Sequence, residues 1–469
     1  MGAPEDEKDG IKKGMNMKIV AIVIVAIVVV AAIATAVILM TTQSTTNLSC
    51  TILSPASDPY NVKSSKVNLS GTASDDVGVT NVTWMNSASG VSGAATGTTN
   101  WSISNITLVT GDNLITVTAY NAAGESASDS IKVVPVPVSY VTMGVGLMKE
   151  ALRTNSTIGG YLAWEPYGSD GIVSGVGHAL EWSGDVRPNH PCCVVLVSDD
   201  FLAAPNGINL TMRFLKAHIE ATNWINDALA HNTSTNYSLL IDMAVNFTGR
   251  NETVLKAAFE HMKYDYAISA QTKVDIAWYT DQFIDIGQLS NVSLTDRGYA
   301  DSTDFVNEYV NTTLLSDATS VTTSSTIYGN VSLGFLTGDL HQMAQYVARN
   351  TSNFGGTSTF TKYGLNVTPA AGAPYTSGPV EMDNFANGNV DIGYLGAPPA
   401  ILKHLNNPKV NAKIIAVANT EGTALVVGPD VHSLDDLRGK YVAVPSVGSI
   451  QYLLLQVIMK DAGIELVAG

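Results

Sequence analysis

The segment GYLAWEPYGSD, residues 160–170, places Glu165 between Trp164 and Pro166 at the end of a short apolar run. This arrangement is typical of the rim of a ligand cleft. Almost nothing upstream of it, however, looks like the first half of a cleft-forming domain. The fold of the chain therefore depends on where the rest of that domain lies.

Helical and strand-like patterns alternate on both sides of this segment. Apolar residues recur at helical spacing in 143–154 and 210–229, whereas 191–202 is a continuous apolar run expected of a strand buried on both faces. Short β-branched strands follow later in the chain. We expect further helices at 340–350, 378–388 and 449–463. This alternation predicts an α/β fold with parallel sheets.

Several longer motifs carry a resemblance to a known family. LGFLTGDLHQMAQYVARN, NGNVDIGYLGAPPAILKHL and SLDDLRGKYVAVPSVGSIQYLLLQVIMKDAGI lie within residues 331–469, and GLMKEALRTNSTIGGYLAWEPYGSDGIV and HPCCVVLVSDDFL lie within 140–318. The first region resembles the first half of a type II periplasmic-binding-protein fold, of the nitrate/sulfonate/taurine class served by ABC transporters. The second region resembles the second half. The resemblance implies a two-lobed α/β domain that binds a small solute in its cleft and presents it to an ABC permease.

The two halves occur in reversed order along the chain. The Ser/Thr-rich segment 319–330 would join the old C-terminus to the old N-terminus as a tether. Circular permutation is tolerated when the cut falls at the surface and the old termini are close together. A fragment of a tandem array, with one half from each of two copies, is the alternative. The complete, non-overlapping set of segments favours permutation.

Loops that precede helices supply the candidate ligand-binding residues. Free N–H groups and the positive end of the helix dipole bind an oxyanion without Arg or Lys, and small residues let a ligand approach the backbone. Asp339, or Thr337, is the expected N-cap of one such helix. The candidates are Asp339, His341, Gln342, Gly396, Ala397, Ser446, Gly448, Ser449 and Gln451, together with Trp164 and Glu165.

Each of these residues also has a purely structural interpretation. Ser446 and Ser449 are equally suited to capping their helix, and Trp164 to packing. Glu165 would bind a ligand amine, close the hinge, or serve as a structural carboxylate. His341 stands at a helix start, where contact with ligand is one of two readings.

The motif NHPCCVV brings His190 next to Cys192 and Cys193. Cysteine and histidine together bind metals, and some pyrimidine-precursor synthases that share this fold use a cysteine-rich loop. One histidine and two adjacent cysteines are too few ligands, and 192–197 has the pattern of a strand. We therefore expect these cysteines to be small buried hydrophobes, with no metal, no cofactor and no catalytic residue in the domain.

Residues 47–134 have a different pattern, with short alternating runs separated by turns. Ile115, Val117 and Ala119 alternate with threonines, and Trp84 is the expected core aromatic. SGTASDDVGVTNVTW and GDNLITVTAYNAAGE resemble bacterial and archaeal surface Ig-like modules, which implies an all-β sandwich that spaces or displays another domain. VVPVPVS, residues 133–139, is the expected stiff linker.

The N-terminal region predicts a membrane anchor. Residues 19–40 are uncharged and apolar, which is long enough to span a bilayer. Lys12, Lys13 and Lys18 before the span and no positive cluster after it place the N-terminus inside and the bulk of the chain outside. An uncleaved anchor is the leading interpretation, and KKGMNMK as a pilin-like processing site is the alternative. Frequent Asn-x-Ser/Thr sequons fit a glycosylated outer surface.

Composition limits the class of function. The chain has 469 residues, a net charge of −16 and 45% hydrophobic residues, which allows two or three domains and excludes a basic nucleic-acid footprint. Three cysteines are too few for a disulfide framework. The expectation is a multidomain, single-pass extracellular protein that is not an enzyme. It would capture a small anionic solute such as a sulfonate, taurine or nitrate. A surface sensor or adhesin, or a pyrimidine-precursor binding protein or synthase, is the alternative.

Overall fold

The computed structural model describes residues 47–351 and 356–469. Within these ranges no helix combines the length and the apolar character needed to cross a bilayer. The predicted tail (1–18) and anchor (19–40) lie outside the described residues. The chain forms two compact units. Among the described residues, the first contains 47–57 with Asn68–Ser104 and Ile115–Ile131, and the second contains Asp58–Val67, Asn105–Leu114 and the described part of Lys132–Gly469.

Residues 47–135 contain only β-strands as regular elements. A three-stranded sheet has the order β1-β3-β6, and a five-stranded sheet has the order β2-β8-β7-β4-β5. The strands are Ser49–Ser54 (β1), Tyr60–Val62 (β2), Lys66–Ser74 (β3), Val79–Asn86 (β4), Ser92–Ala94 (β5), Asn100–Thr107 (β6), Asn113–Asn121 (β7) and Ser126–Pro135 (β8).

Burial along these strands follows the alternation seen in the sequence. Ile115, Val117 and Ala119 of β7 are buried, and the threonines between them are not. The prediction of Trp84 as the core aromatic is wrong, because Trp84 is only half-buried and Trp101 is 2% exposed. Trp101 fits because Gly71 faces it: a Cβ there would lie 2.3 Å from the indole. Only glycine leaves room for the ring at that position.

The predicted linker 133–139 is mostly strand. Residues 133–135 end β8 and Val138–Thr142 form β9, so only Val136 and Pro137 lie between the two strands. Proline removes a backbone donor but is tolerated at strand ends, and Pro135 is the last residue of β8. The Pro-Val repeat is therefore accommodated as two strand ends and does not act as a spacer.

From β9 onwards helices and strands alternate, as the periodicity predicts. The strands are Val138–Thr142 (β9), Ile158–Trp164 (β10), His178–Trp182 (β11), Cys193–Ser198 (β12), Met262–Tyr264 (β13), Gly329–Gly334 (β14), Leu365–Pro369 (β15), Ile392–Gly396 (β16), Ala412–Val417 (β17), Asn419–Glu421 (β18), Thr423–Val427 (β19), Tyr441–Val444 (β20) and Leu466–Ala468 (β21).

The helices of this region confirm the main helix predictions with shifted ends. They are Val145–Thr154 (α1), Tyr167–Val173 (α2), Ser183–Val186 (α3), Asp199–Ala203 (α4), Gly207–Ala230 (α5), Thr235–Thr248 (α6), Glu252–Ala258 (α7), Ala270–Asp285 (α8), Asn291–Thr295 (α9), Ser302–Tyr309 (α10), Thr313–Ala318 (α11), Met343–Arg349 (α12), Thr359–Lys362 (α13), Gly378–Ala386 (α14), Ala397–Asn406 (α15) and Ile450–Asp461 (α16). Single 3₁₀ turns occupy Phe259–His261, Leu340–Gln342 and Leu434–Leu437.

Two mixed sheets organise this region, and each defines one lobe. The larger sheet has the order β11-β19-β10-β20-β9-β21, and the smaller has the order β15-β14-β16-β12-β17. The expectation of parallel sheets is wrong in one respect. β12 is antiparallel to β16 and β17, and β19 is antiparallel to β10 and β11. An apolar run reports burial but not strand direction, so the sequence pattern left the direction open.

Both sheets take strands from both segments of the chain. β12 lies in the smaller sheet between strands that begin at Ile392 and Ala412, and β9 pairs with both β20 and β21. Val194, Val195, Leu196 and Val197 of β12 are fully buried. Burial of such side chains stabilises the fold by about 1.5–3 kcal/mol each. The smaller sheet therefore depends on β12, which lies far before its two neighbouring strands, β16 and β17, in the sequence.

Candidate functional site

A small cavity lies where strands of both sheets end and helices begin. Its volume is about 20 Å³, which is room for one water molecule. Six of the eleven predicted site residues line it: Trp164, Asp339, His341, Gly396, Ser449 and Gln451. The remaining lining residues are Cys192, Cys193, Leu336, Gly378, Pro399 and Ile450.

Helix starts surround this cavity. Gly396 and Ser449 are the N-caps of α15 and α16, Gly378 is the first residue of α14, and Asp339 caps the 3₁₀ turn before α12. The first N–H groups of a helix have no partner within the helix, and its dipole places partial positive charge at that end. Neither Lys nor Arg lines the cavity. The helix starts therefore supply the oriented N–H groups around the cavity.

Five predicted residues do not line the cavity. They are Glu165, Gln342, Ala397, Ser446 and Gly448. Ala397 is the first residue of α15, and its N–H donates to the Cys192 carbonyl. The Ser449 hydroxyl donates a hydrogen bond to the Ser446 carbonyl at 2.8 Å. These residues shape the loops that carry the lining groups.

Glu165 is a buried carboxylate with local partners. Its two oxygens accept the N–H (3.0 Å) and the hydroxyl (2.8 Å) of Ser169, in the first turns of α2. Burial raises the pKa of Glu165 to about 7, against the hydrogen bonds from Ser169 and the charge of His341. The position of this carboxylate corresponds to the structural interpretation of Glu165.

Cys192 and Cys193 are lining residues that the sequence interpretation missed. Both are at most 2% exposed, and all three cysteines of the chain are free thiols. The N–H of Cys193 donates to the Asn419 side chain at 2.9 Å, and the Cys192 N–H donates to the Asn419 carbonyl at 3.1 Å. Asn419, at the start of β18, thus fixes the backbone that carries both thiols.

His341 is the histidine that faces these thiols. Its Nδ1 lies 3.4 Å from Cys192 Sγ and 3.3 Å from Asp339 Oδ1, and its Nε2 lies 3.0 Å from the Gly422 carbonyl oxygen. Since a carbonyl only accepts, Nε2 carries a proton. Gly422 has a φ of +86°, and a Cβ there would lie 2.3 Å from Nε2. Glycine is therefore required for this contact.

Asp339 connects the second thiol to the same group. Its Oδ1 accepts the His341 N–H at 3.1 Å, and its Oδ2 accepts the Gln342 amide at 3.0 Å and lies 3.6 Å from Cys193 Sγ. We call Cys192, Cys193, Asp339 and His341 the thiol wall of the cavity. Cys192 and Cys193 lie at the start of β12, and Asp339 and His341 follow the end of β14; both strands belong to the smaller sheet.

The thiol wall is strongly coupled electrostatically. The hydrogen bond from Cys193 and the charge of His341 lower the pKa of the Cys192 thiol well below its usual range. Burial raises the pKa of Cys193, and burial also raises that of Asp339 to about 6. Burial alone would lower the pKa of His341, but Cys192 and Asp339 raise it to about 9. The charges of the four side chains in the wall therefore depend on one another.

Trp164, Ser449 and Gln451 form the opposite side, which we call the neutral wall. The Gln451 amide donates to Thr423 Oγ1 at 2.9 Å, and Ser449 Oγ accepts the Tyr452 N–H at 3.1 Å. The indole N–H of Trp164 is buried and has no hydrogen-bond partner among the described residues. A ligand acceptor in the cavity would satisfy that donor.

His190, the histidine paired with the cysteines in sequence, belongs to another network. Its Nδ1 lies 2.7 Å from the Tyr279 hydroxyl, which donates to the Pro191 carbonyl at 2.9 Å. Burial lowers the pKa of His190. Proximity in sequence therefore indicated the wrong histidine, and no local signal points to His341 as the partner of the thiols.

The two-sheet architecture with a cavity ringed by helix starts defines a protein like the periplasmic binding proteins. Residues 111–237 and 329–468 match the NMT1-like family, and this match covers more than half of the chain. The chain belongs to the NMT1-like family, which falls in the type II group for nitrate, sulfonate and taurine ABC transporters. Members of this family are generally substrate-binding proteins, although the name also includes thiamine-pathway members.

The other comparisons add little. No curated protein matches the sequence. Among solved structures, one match is the crystal structure of CopC from Methylosinus trichosporium OB3b, with 15% sequence identity and a TM-score of 0.15. The matched region covers 18% of this chain and 94% of the CopC chain. That TM-score is too low to support a conclusion about fold or function.

Proposed function

We propose that this protein is a membrane-tethered extracellular receptor that captures a small anionic solute and delivers it to an ABC permease. The convergence of helix starts from both lobes on one cavity is the observation that carries the proposal. α14 and α15 begin there from the smaller sheet's lobe, and α16 begins there from the larger sheet's lobe. Oriented N–H groups bind nitrate, sulfonate or carboxylate oxygens without a fixed cation.

Capture in such a protein requires the lobes to separate. The cavity of about 20 Å³ admits a single water molecule, so any larger solute enters only after the lobes open and is enclosed as they close. The buried indole N–H of Trp164 supplies one directional donor to the solute. The remaining selectivity comes from the hydroxyl and amide of Ser449 and Gln451.

The arrangement of the rest of the chain belongs to the same proposal. The apolar segment 19–40 is the anchor, and the β-strands of residues 47–134 form an Ig-like stalk that holds the receptor away from the membrane. Tethering keeps the receptor at high effective concentration near its permease. The domain itself is a circular permutant, and the shared sheets support this, since the other strands of the β12 sheet begin at Gly329 or later and β9 lies between β20 and β21 from the end of the chain.

Isothermal titration calorimetry of the full chain in detergent tests the solute class. Nitrate, taurine and short alkanesulfonates are titrated beside uncharged alcohols of the same carbon skeleton. We expect at least one anion to bind with a micromolar or lower Kd and the matched alcohol to bind at least about tenfold more weakly. Equal binding of the anion and the alcohol, or no binding of any anion, would contradict an anionic solute.

A further inference from the structure

Four metal-binding side chains meet in the thiol wall. Cys192 Sγ, Cys193 Sγ and one ring nitrogen of His341 lie within 4.8 Å of one another, and all three residues are buried. The carboxylate of Asp339 adds a fourth donor, 3.3 Å from His341 Nδ1 and 3.6 Å from Cys193 Sγ. Two thiols, an imidazole and a carboxylate make a donor set of the kind that holds Zn²⁺.

The spacing of these donors fits a tetrahedral ion. Bonds of about 2.3 Å to sulfur and about 2.0 Å to nitrogen or oxygen separate neighbouring donors by about 3.3–3.8 Å. The separation of 3.4 Å between Cys192 Sγ and His341 Nδ1 falls in this range. One Asp339 oxygen adds a second such separation, either 3.3 Å from Oδ1 to His341 Nδ1 or 3.6 Å from Oδ2 to Cys193 Sγ. The side chains therefore lie close enough together to share one ion.

Groups behind the donors hold them in a ligating orientation. The Gly422 carbonyl accepts a hydrogen bond from Nε2–H of His341. In the neutral ring the lone pair therefore lies on Nδ1, which faces the thiols. The Gln342 amide and the His341 N–H bond the two oxygens of Asp339. Partners of this kind are typical of protein metal sites, where they fix ring orientation and ligand basicity.

We infer that the thiol wall is a Zn²⁺ site with Cys192, Cys193, His341 and Asp339 as its ligands. All four donors belong to the smaller sheet's lobe, so the ion stays bound when the lobes separate. Binding releases the remaining thiol proton and the proton between Cys192 and His341, and it involves no change of oxidation state. The inference is independent of the proposed solute, whose helix-start donors are not zinc ligands.

The test uses the full chain in detergent, stripped of metal with a chelator under reducing conditions. Titration with Co²⁺ reports the ligands, because thiolate-bound tetrahedral cobalt has a charge-transfer absorption and strong visible bands. We expect one Co²⁺ per chain with both signals, and displacement by one equivalent of Zn²⁺. A cobalt spectrum without the thiolate charge-transfer band, or no stoichiometric binding, would overturn the inference.

Matched variants separate ligation from general damage. Cys192→Ser, Cys193→Ser and His341→Gln should each weaken Zn²⁺ binding by about 100-fold or more. Cys50→Ser removes the other buried thiol of the chain, and His190→Gln removes the histidine next to the pair in sequence; both should bind Zn²⁺ like the parent. If a ligand variant fails to fold, alkylation of the parent decides: bound Zn²⁺ should protect Cys192 and Cys193 but not change the rate at Cys50. Equal alkylation with and without Zn²⁺ would contradict the site.

Solute titrations on the same zinc-free and zinc-loaded samples keep the two proposals apart. Zinc binding without anion binding leaves the metal site standing and removes the proposed solute class. Anion binding without zinc binding does the reverse.

Discussion

The two walls of the cavity differ in the chemistry of their side chains. The thiol wall is titratable, and its four side chains depend on one another for charge balance. The neutral wall has three uncharged polar side chains, each held by neutral hydrogen bonds or by none. A charged cluster in a buried site is costly to break, whereas a neutral hydrogen bond is worth about 1 kcal/mol. The walls should therefore differ in what a substitution costs.

Removing the carboxylate of the thiol wall should have the largest effect. Asp339→Ala deletes the partner of the His341 N–H, the Gln342 amide and the charged imidazole. Breaking a buried ionic pair from one side costs about 3–5 kcal/mol. Urea unfolding of the metal-free chain, followed by tryptophan fluorescence, measures the loss. Gln451→Ala on the neutral wall should cost only about 1–2 kcal/mol, and equal losses would erase the distinction between the walls.

Glu165, which follows Trp164 of the neutral wall in sequence, should make the stability of the protein depend on pH. Its folded pKa of about 7 lies above its ordinary value of 4.5, so the folded state holds the proton longer as pH rises. The free energy of unfolding therefore falls as pH rises from about 4.5 to 7, by about 3 kcal/mol at most for this group. Glu165→Gln keeps the shape and should flatten the unfolding free energy across that window. An unchanged pH profile in the variant would show that Glu165 ionises normally.

Loss of the helix cap at Ser449 should be a smaller effect with two readouts. Ser449→Ala removes the acceptor of the Tyr452 N–H and should cost about 1 kcal/mol. Ser234→Ala is the matched control, since Ser234 caps α6 by accepting the Tyr237 N–H at the same distance of 3.1 Å. Both variants should lose similar stability, but only Ser449→Ala should weaken anion binding. If the two variants bind the anion with equal affinity, Ser449 acts only as a helix cap.

Trp164→Phe should give the smallest change in stability. The ring is retained in the cavity wall, and a buried donor without a partner among the described residues is removed, so stability should change by less than about 1 kcal/mol. Anion affinity should nevertheless fall by roughly tenfold, because the variant lacks one hydrogen bond to the solute. Thermal unfolding and calorimetry on the same samples measure the two quantities. Loss of stability with unchanged affinity would assign Trp164 to packing.

The sequence predicts the neutral wall better than the thiol wall, for a physical reason. Ser449 and Gln451 lie at a strand-to-helix junction, and such junctions are visible in local periodicity and capping residues. The contact between Cys192 and His341 joins residues 149 positions apart, so spacing rules for metal ligands do not detect it. His190 was the nearby histidine, and tertiary packing directs it to Tyr279 instead.

The same limit applies to the fold. Alternating patterns predict five of the helices, α1, α5, α12, α14 and α16, with ends that differ by only a few residues. Strand direction in β12 and β19 depends on pairing partners far along the chain, which no local pattern encodes. Trp84 and Trp101 likewise look alike in sequence. The glycine opposite Trp101 decides which of them is enclosed.

The position of β12 has a consequence for how the protein is made. Its apolar segment leaves the ribosome well before β16 and β17, which begin at Ile392 and Ala412 and cover both of its edges. At ordinary elongation rates the interval is roughly 10 to 40 seconds, during which both edges are open to misassociation. We expect this nascent segment to need a holding chaperone. Protease sensitivity of stalled chains, ending before Ile392 or after Val417, would reveal when that need ends.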